Sequence, residues 1–260
     1  MRFFTSLVGL SLSIFITEPS AYSIVENNNE NPSSIHSNQS SNQSVQGAQS
    51  IHDDLAALPL DHFSIKNQNE VSFSSMGLTK SFSLITVRTV QQSDENNLIL
   101  IHGNSVVMKT ATYSGTVFTP EETKNYLNRC VNGSKLCLVI EKVEPKDSQS
   151  LFIGLVTLSP EYDADLNPVP GTLNLAYRIL PEFFNQGYTS AAVKNILERL
   201  VPRLIKNKFK VHEQPVTKVV AVAHTENIAS WRIMEKVGMK FMRLYEEEGL
   251  PLRSYEYSSE

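Results

Sequence analysis

The chain has 260 residues, 41% hydrophobic and 19% charged, which suits one substantial domain or two small ones around an apolar core. Its net charge of −4 sets 23 Lys and Arg against 27 Asp and Glu, excluding a strongly basic nucleic-acid binder and an acidic solvating tail. Two cysteines exclude a disulfide-dense scaffold.

Residues 1–23 combine Arg2, an apolar run from Phe3 to Ile16, the breakers Glu18-Pro19-Ser20 and the small-residue pattern Ala21-Tyr22-Ser23. This is the grammar of a secretory signal peptide, and it predicts export. The apolar run is too short to span a bilayer, which takes about 20 residues, so no stable span is expected after cleavage. If the leader is instead an ordinary N-terminal helix, the chain is cytoplasmic. Residues 24–50 hold six Asn, four Gln and seven Ser, and read as a disordered tether. Residues 51–79 form an undefined lead-in. Asn38, Asn42 and Asn132 each begin a glycosylation sequon.

From residue 80 the pattern becomes that of a folded domain, predicted over 80–260. Phe82, Leu84, Ile85 and Val87 predict a strand ending near Val90. Ser93 is the expected cap of a helix carrying Leu98, Ile99 and Ile101. Thr119-Pro120-Glu121-Glu122 starts a second helix, to about Val131: a hydroxyl cap, proline at N1 and acids at the positive end. Cys137–Val143 and Leu151–Leu158 predict an antiparallel hairpin around Glu144–Ser148. Leu173–Leu180 is a further strand, stopped by Pro181. Tyr188, Ala192, Ile196 and Leu200 mark one face of a helix that Pro202 should kink or end. Thr217–Ala223 is a buried strand, and Ile228–Val237 a short helix closed by Gly238. Met239–Glu246 and Arg253–Tyr257 complete a mixed α/β order around one sheet.

Two segments carry chemistry. After the Leu173–Leu180 strand, Phe184-Asn185-Gln186-Gly187 is a tight polar turn leading directly into a helix. Backbone N–H groups in such a turn, backed by the helix end, cradle a phosphate. Gly187 permits close approach, and Thr189 and Ser190 offer hydroxyls. In the second segment, Asn227 is a natural helix cap and Ser230 lies one turn inside. A strand–turn–helix joint that binds nothing, and an ordinary cap, account for the same residues without any ligand.

Together the segments resemble the GNAT superfamily of N-acetyltransferases, in particular its ribosomal-protein-alanine acetyltransferase branch. Phe184-Asn-Gln-Gly187-Tyr-Thr-Ser-Ala-Ala192 is similar to that branch's aromatic followed by Gly-Lys-Gly-Tyr-Ala-Thr-Glu-Ala. Asn227-Ile-Ala-Ser230 and Glu235-Lys-Val-Gly238-Met239 are similar to its second signature. Leu84–Arg88 and Phe152–Val156 resemble its opening and third strands, so the likeness spans about 82–257. It implies a single mixed, mostly antiparallel sheet with splayed central strands flanked by helices. It implies acetyl-CoA as cosubstrate and an amine-bearing acceptor: a peptide or protein N-terminus, or a small amine. The pyrophosphate would lie on Asn185, Gln186, Gly187, Tyr188, Thr189 and Ser190. Ile179 and Leu180 would line the cofactor arm, Asn227 would orient it, and Ser230 would return a proton to the thiolate. A GNAT-fold acyl-CoA-binding or interaction protein with little catalysis is the alternative.

Several positions depart from the pattern. The branch's first Gly and its Lys are Asn185 and Gln186, and Asn tolerates a left-handed backbone better than most residues. Where many relatives carry a strand Glu, this chain has Asn174, and an amide cannot act as a base. His224 and the run Glu246-Glu247-Glu248 are the remaining candidates for general base, with capping and solvation as their plain alternatives. Leu98–Asn104 resembles the His-Gly loop of α/β-hydrolases, but no Gly-x-Ser-x-Gly accompanies it. The six histidines and the Cys-x6-Cys pair lack metal-ligand spacing, so no metal is predicted. Cys130 and Cys137 either pair or remain thiols. Aromatic residues do not interleave with basic ones, so nucleic acid is not an expected partner.

Overall fold

The computed structural model describes residues 63–67, 71–74, 77–80, 83–111, 115–143, 150–247 and 249–258. The expected leader, the tether, Phe82, the loop 144–148, Glu248 and the sequons at Asn38 and Asn42 lie outside these residues. The described strands are β1 (Phe63–Asn67), β2 (Val71–Ser74), β3 (Gly77–Lys80), β4 (Ser83–Thr89), β5 (Leu136–Val143), β6 (Ser150–Tyr162), β7 (Pro168–Ile179), β8 (Lys210–Val211), β9 (Gln214–Pro215), β10 (Lys218–His224), β11 (Lys240–Glu247) and β12 (Leu250–Ser258). The α-helices are α1 (Glu95–His102), α2 (Ser105–Met108), α3 (Pro120–Val131), α4 (Tyr188–Asn195), α5 (Val201–Lys206) and α6 (Ile228–Lys236).

Eight strands form one sheet in the order β1-β4-β5-β6-β7-β10-β12-β11. Every neighbouring pair is antiparallel except β7 and β10, which run parallel. This is the α/β, mixed and mostly antiparallel sheet flanked by helices that the resemblance implies. The strand β1, inside the 51–79 lead-in, pairs with β4 from Phe63↔Val87 to Asn67↔Ser83.

Local chemistry explains most boundaries. Thr119 caps α3 as expected: its Oγ1 accepts from the Glu122 N–H, while the Glu122 carboxylate accepts from the Thr119 N–H at 2.7 Å. Ser93 does not cap α1. It lies inside a short 3-10 turn, Gln92–Asp94, and the Asp94 carboxylate accepts from the Gln91 N–H at 2.8 Å. Asp94 does this because Arg88 fixes it through two 2.8 Å hydrogen bonds, while the same guanidinium reaches Glu141 at 2.7 Å. Pro202 does not end its helix. A π turn, Ile196–Leu200, joins α4 to α5, with the Val201 N–H bonding the Ile196 carbonyl. The widened turn accommodates a ring that clashes in a regular helix.

Two apolar clusters cover the two faces. On the first face, α4, the π turn, α5 and α6 pack Tyr188, Val193, Leu197, Leu200 and Met234 against Ile85, Ile140, Leu175 and Val219. On the second, α1 and α3 pack Leu98, Ile101, Tyr126 and Leu127 against Val139, Phe152 and Leu155. There a disulfide joins Cys130 of α3 to Cys137 of β5, which settles the open question of their pairing. His102 ends α1, fully buried between Phe118 and Tyr126. The segment Leu98–His102 is therefore helical, with Leu98, Ile101 and His102 buried in the core, and the hydrolase-like reading is set aside.

Candidate active site

The parallel pair β7–β10 defines the site. It is in register only at Lys218↔Thr172, Val219↔Leu173 and Val220↔Asn174. Beyond Asn174, β7 continues to Ile179 against β6, and β10 continues to His224 against β12. The two strands thus separate, each still held by its outer neighbour. The Leu180 N–H donates to the Ile153 carbonyl on the β6 side. Strand alternation then turns the main-chain groups of Leu175, Tyr177 and Ile179 toward the opening. Gly154 lets β6 approach this closely: a Cβ there would lie 2.5 Å from the Arg178 carbonyl oxygen.

At the wide end, β7 passes through a 3-10 turn (Pro181–Phe183) into the polar turn before α4. Asn185 has φ 58° and Gly187 φ 84°, so the left-handed backbone inferred for Asn185 is present. The Gln186 amide donates to the Glu182 carbonyl at 2.7 Å and closes the loop. Gly187, which has no side chain to offer, is the cap residue of α4. The first N–H groups of α4, from Tyr188, Thr189 and Ser190, precede the first intrahelical bond, which runs from the Ala191 N–H to the Gly187 carbonyl. This is the geometry of an anion cradle, built from main chain. The Tyr188 side chain is core, edge-on to Phe183, and the Thr189 side chain is buried. Both contribute backbone to the turn, and Ser190 remains as the half-buried hydroxyl.

At the other side of the opening, β10 ends at His224 and α6 begins after Asn227. The Asn227 Oδ1 accepts from the Ser230 N–H at 3.2 Å, while the Trp231 indole N–H donates to the Thr225 carbonyl. Ser230 reaches across the gap. The Tyr177 hydroxyl donates to the Ser230 carbonyl at 2.8 Å, and the two hydroxyl oxygens are 3.0 Å apart. Since Tyr177 spends its proton on the carbonyl, the Ser230 hydroxyl is the donor in the second contact. Burial raises the Tyr177 pKa, which keeps the phenol neutral.

His224 accepts the Glu226 N–H on Nδ1 at 3.2 Å. That contact engages one ring nitrogen with the local backbone. The structure adds a residue that sequence reading passed over. Glu161, near the end of β6, receives a 2.5 Å hydrogen bond from the Asn174 Nδ2. Asn174 is the last β7 residue paired with β10, so this carboxylate stands where the strands part. Burial, countered by the Asn174 bond and reinforced by Glu247, raises its pKa to about 7. A signal for it existed only across strands: Ser159 is the register partner of Asn174, and Glu161 lies two residues beyond. Of the Glu246–Glu248 run, Glu247 faces the same region, opposite Leu250 on β12.

Residues 85–240 match the family model described as an acetyltransferase (GNAT) domain. The uncharacterized N-acetyltransferase YnaD of Bacillus subtilis (strain 168) is 25% identical over 126 residues, which is 48% of this chain and 61% of that relative's length. A GNAT-family acetyltransferase from Bacillus anthracis superposes with a TM-score of 0.53 at 18% identity, covering 75% of this chain and 98% of its own. A spermidine N-acetyltransferase from Vibrio cholerae, solved with CoA and spermine, gives a TM-score of 0.52 at 16% identity over 67% of this chain and 95% of its own. The split sheet, the left-handed turn and the matched residues agree: the chain belongs to the GNAT acetyltransferase family, whose members use acetyl-CoA.

Proposed function

We propose that this domain transfers the acetyl group of acetyl-CoA directly to a primary amine. The observation that carries the reading is the opening between β7 and β10, which ends at the start of α4 behind the left-handed Asn185–Gly187 turn. Main-chain amides of that turn suit the pyrophosphate. The edge of Leu175–Ile179 suits the amide-rich pantetheine arm, with Leu180 closing its end. Asn227 spends Oδ1 on its own helix, and its Nδ2 is the group for the arm.

Acetyl-CoA supplies an activated thioester. A main-chain amide on the β7 edge would receive the developing oxyanion. Ser230 is suited to protonate the leaving sulfur once its hydroxyl turns toward the opening from the neutral Tyr177 oxygen, to which it donates in this structure. Replacing Ser230 with Ala should lower kcat ~10–100-fold at unchanged acetyl-CoA affinity. Proportionate losses in binding and turnover would assign Ser230 to binding instead.

The motif resemblance to the ribosomal-protein-alanine branch favours a peptide α-amine. The spermidine enzyme that shares the fold keeps small amines in the test panel. Asn174, at the position of the family's strand acid, favours the alternative of an acyl-CoA-binding protein with little catalysis. Calorimetric titration with acetyl-CoA, then thiol release over a panel of peptides and polyamines, separates the readings. No binding overturns both, and binding without turnover selects the alternative.

The Cys130–Cys137 disulfide supports work in an oxidising compartment, as the leader-like N-terminus does. N-terminal sequencing of the natural protein tests the cleavage, and intact residues 1–23 would oppose it.

A further inference from the structure

Resting on the acetyltransferase reading, we infer that Glu161 and Asn174 form a two-residue amine site in which Glu161 is the general base. The family's strand acid is absent from β7, and its carboxylate is supplied from the neighbouring strand. The geometry carries this in three ways. Asn174 is 2% exposed and occupies the point where β7 leaves β10. Its Nδ2 holds the Glu161 carboxylate at 2.5 Å. Its Oδ1 is buried and finds no donor among the described residues. A buried acceptor without a donor is costly, and it is an invitation to a ligand N–H. The two side chains therefore present an amide oxygen and a carboxylate, side by side, on the face of the sheet opposite Tyr177 and Ser230. An attacking nitrogen can donate one N–H to Asn174 Oδ1 and another to Glu161. Its lone pair is left for the thioester.

The surroundings suit a carboxylate that changes charge during turnover. Lys218 on β10 favours its ionised form, while Glu247 on β11 opposes it. Lys218 is itself held by Glu256 of β12 at 3.1 Å. Tyr245 of β11 faces the same group, its phenol held neutral by burial and by both glutamates. His212, in the β8–β9 turn, packs edge-on to Tyr162 and meets Glu161 at its main-chain carbonyl, at 3.0 Å. In the step itself, the amine nitrogen forms the new C–N bond as the C–S bond breaks with its electron pair moving to sulfur. The nitrogen's proton passes to Glu161 and then to solvent. The sulfur takes the Ser230 proton, which solvent replaces.

The test compares the full chain with Glu161→Gln, Glu161→Asp and Asn174→Ala. Circular dichroism and acetyl-CoA calorimetry serve as controls of fold and cofactor site. The readouts are the pH dependence of kcat/KM and the calorimetric affinity for the amine most active with the unsubstituted protein. Glu161→Gln should keep acetyl-CoA affinity, lose at least ~100-fold in kcat and lose the rise of activity through about pH 7. Glu161→Asp should recover part of the rate. Asn174→Ala should weaken amine affinity ~10-fold. Glu161→Gln retaining kcat within about threefold, or retaining that pH rise, overturns the assignment. Failure of the unsubstituted protein to bind acetyl-CoA overturns the underlying acetyltransferase reading instead.

Discussion

The two faces of the sheet are built from different materials. The face under α4, the π turn, α5 and α6 is almost wholly apolar, and its site elements are main chain: a turn, a helix start and a strand edge. Thr189 of α4 is a buried polar residue on that side. The face under α1 and α3 holds Asp94, His102, Thr157, Asn174 and Arg178 out of water, with Arg88 bridging Asp94 and Glu141. Desolvation lowers the His102 pKa to about 2, so that ring stays neutral, and it lowers that of Arg178 as well. The contrast teaches a division of labour. One ligand common to a whole family is suited by backbone geometry, and a variable acceptor by ionisable side chains that several strands bring together.

The sharpest way to break this comparison is Gly187→Trp. With φ at 84° and main-chain amides as the proposed anion site, the indole should block the cradle and cost acetyl-CoA affinity at least ~100-fold, about 2.7 kcal/mol. Retained binding would show that the first face does not hold the cofactor. Next is Arg88→Ala on the second face, which leaves Asp94 and Glu141 without their shared cation. Urea unfolding should report a loss of about 3 kcal/mol with acetyl-CoA affinity unchanged. A loss below about 0.5 kcal/mol would mean that this ion network is no more than surface decoration. The same network predicts acid sensitivity. Burial by itself would raise the Asp94 carboxyl, but the hydrogen bonds and charge of Arg88, with the Gln91 N–H and the Asn97 amide, together hold it below its ordinary value. Its stabilisation is therefore complete above the ordinary aspartate range and lost as pH falls through the depressed value.

Reduction of the Cys130–Cys137 bond opens a short loop, seven residues in separation, and should lower stability by about 2 kcal/mol. A Tm unchanged by reductant would show that packing alone keeps α3 on β5. The smallest effect is a gain. The Glu161 pKa lies at about 7, above the ordinary glutamate value, so its ionisation opposes folding. That cost is absent below pH 4, grows as pH rises to about 7 and is constant above. Glu161→Gln should thus stabilise the protein at pH 8 by on the order of 1–2 kcal/mol and leave it unchanged at pH 4. Equal Tm differences at both pH values would show that the carboxylate is not strained by its surroundings.

The same division governs what can be read from the sequence. The Asn185–Ser190 turn and the Asn227 cap are contiguous, and local backbone chemistry gives them away. The Thr119 cap is legible for the same reason. Glu161 is not, because a carboxylate beside Asn174 exists only once two strands are in register. Ser93 was a reasonable cap until Arg88, on another element, claimed Asp94. Pro202 points to a kink or an end of the helix because a proline clash is local, whereas its relief by a π turn depends on what Leu197, Leu200 and Val201 bury. The β1 strand, Phe63–Asn67, carries Ser, Lys and Asn among its five residues, and its place in the sheet follows from pairing with β4.

Beyond Asn174, β7 is a cantilever. Its last five residues are anchored along one edge, to β6, and pair with no strand of the described residues along the other. Whatever lies in the opening loads that beam from its free side. The stiffness opposing the load comes from β6, which stays in ladder register from Leu155 to Ser159 and is drawn tight at Gly154. A bulky residue at 154 would touch no ligand, yet it would lift the beam from its support. The precision of the site is thus set by a strand that never faces the cofactor.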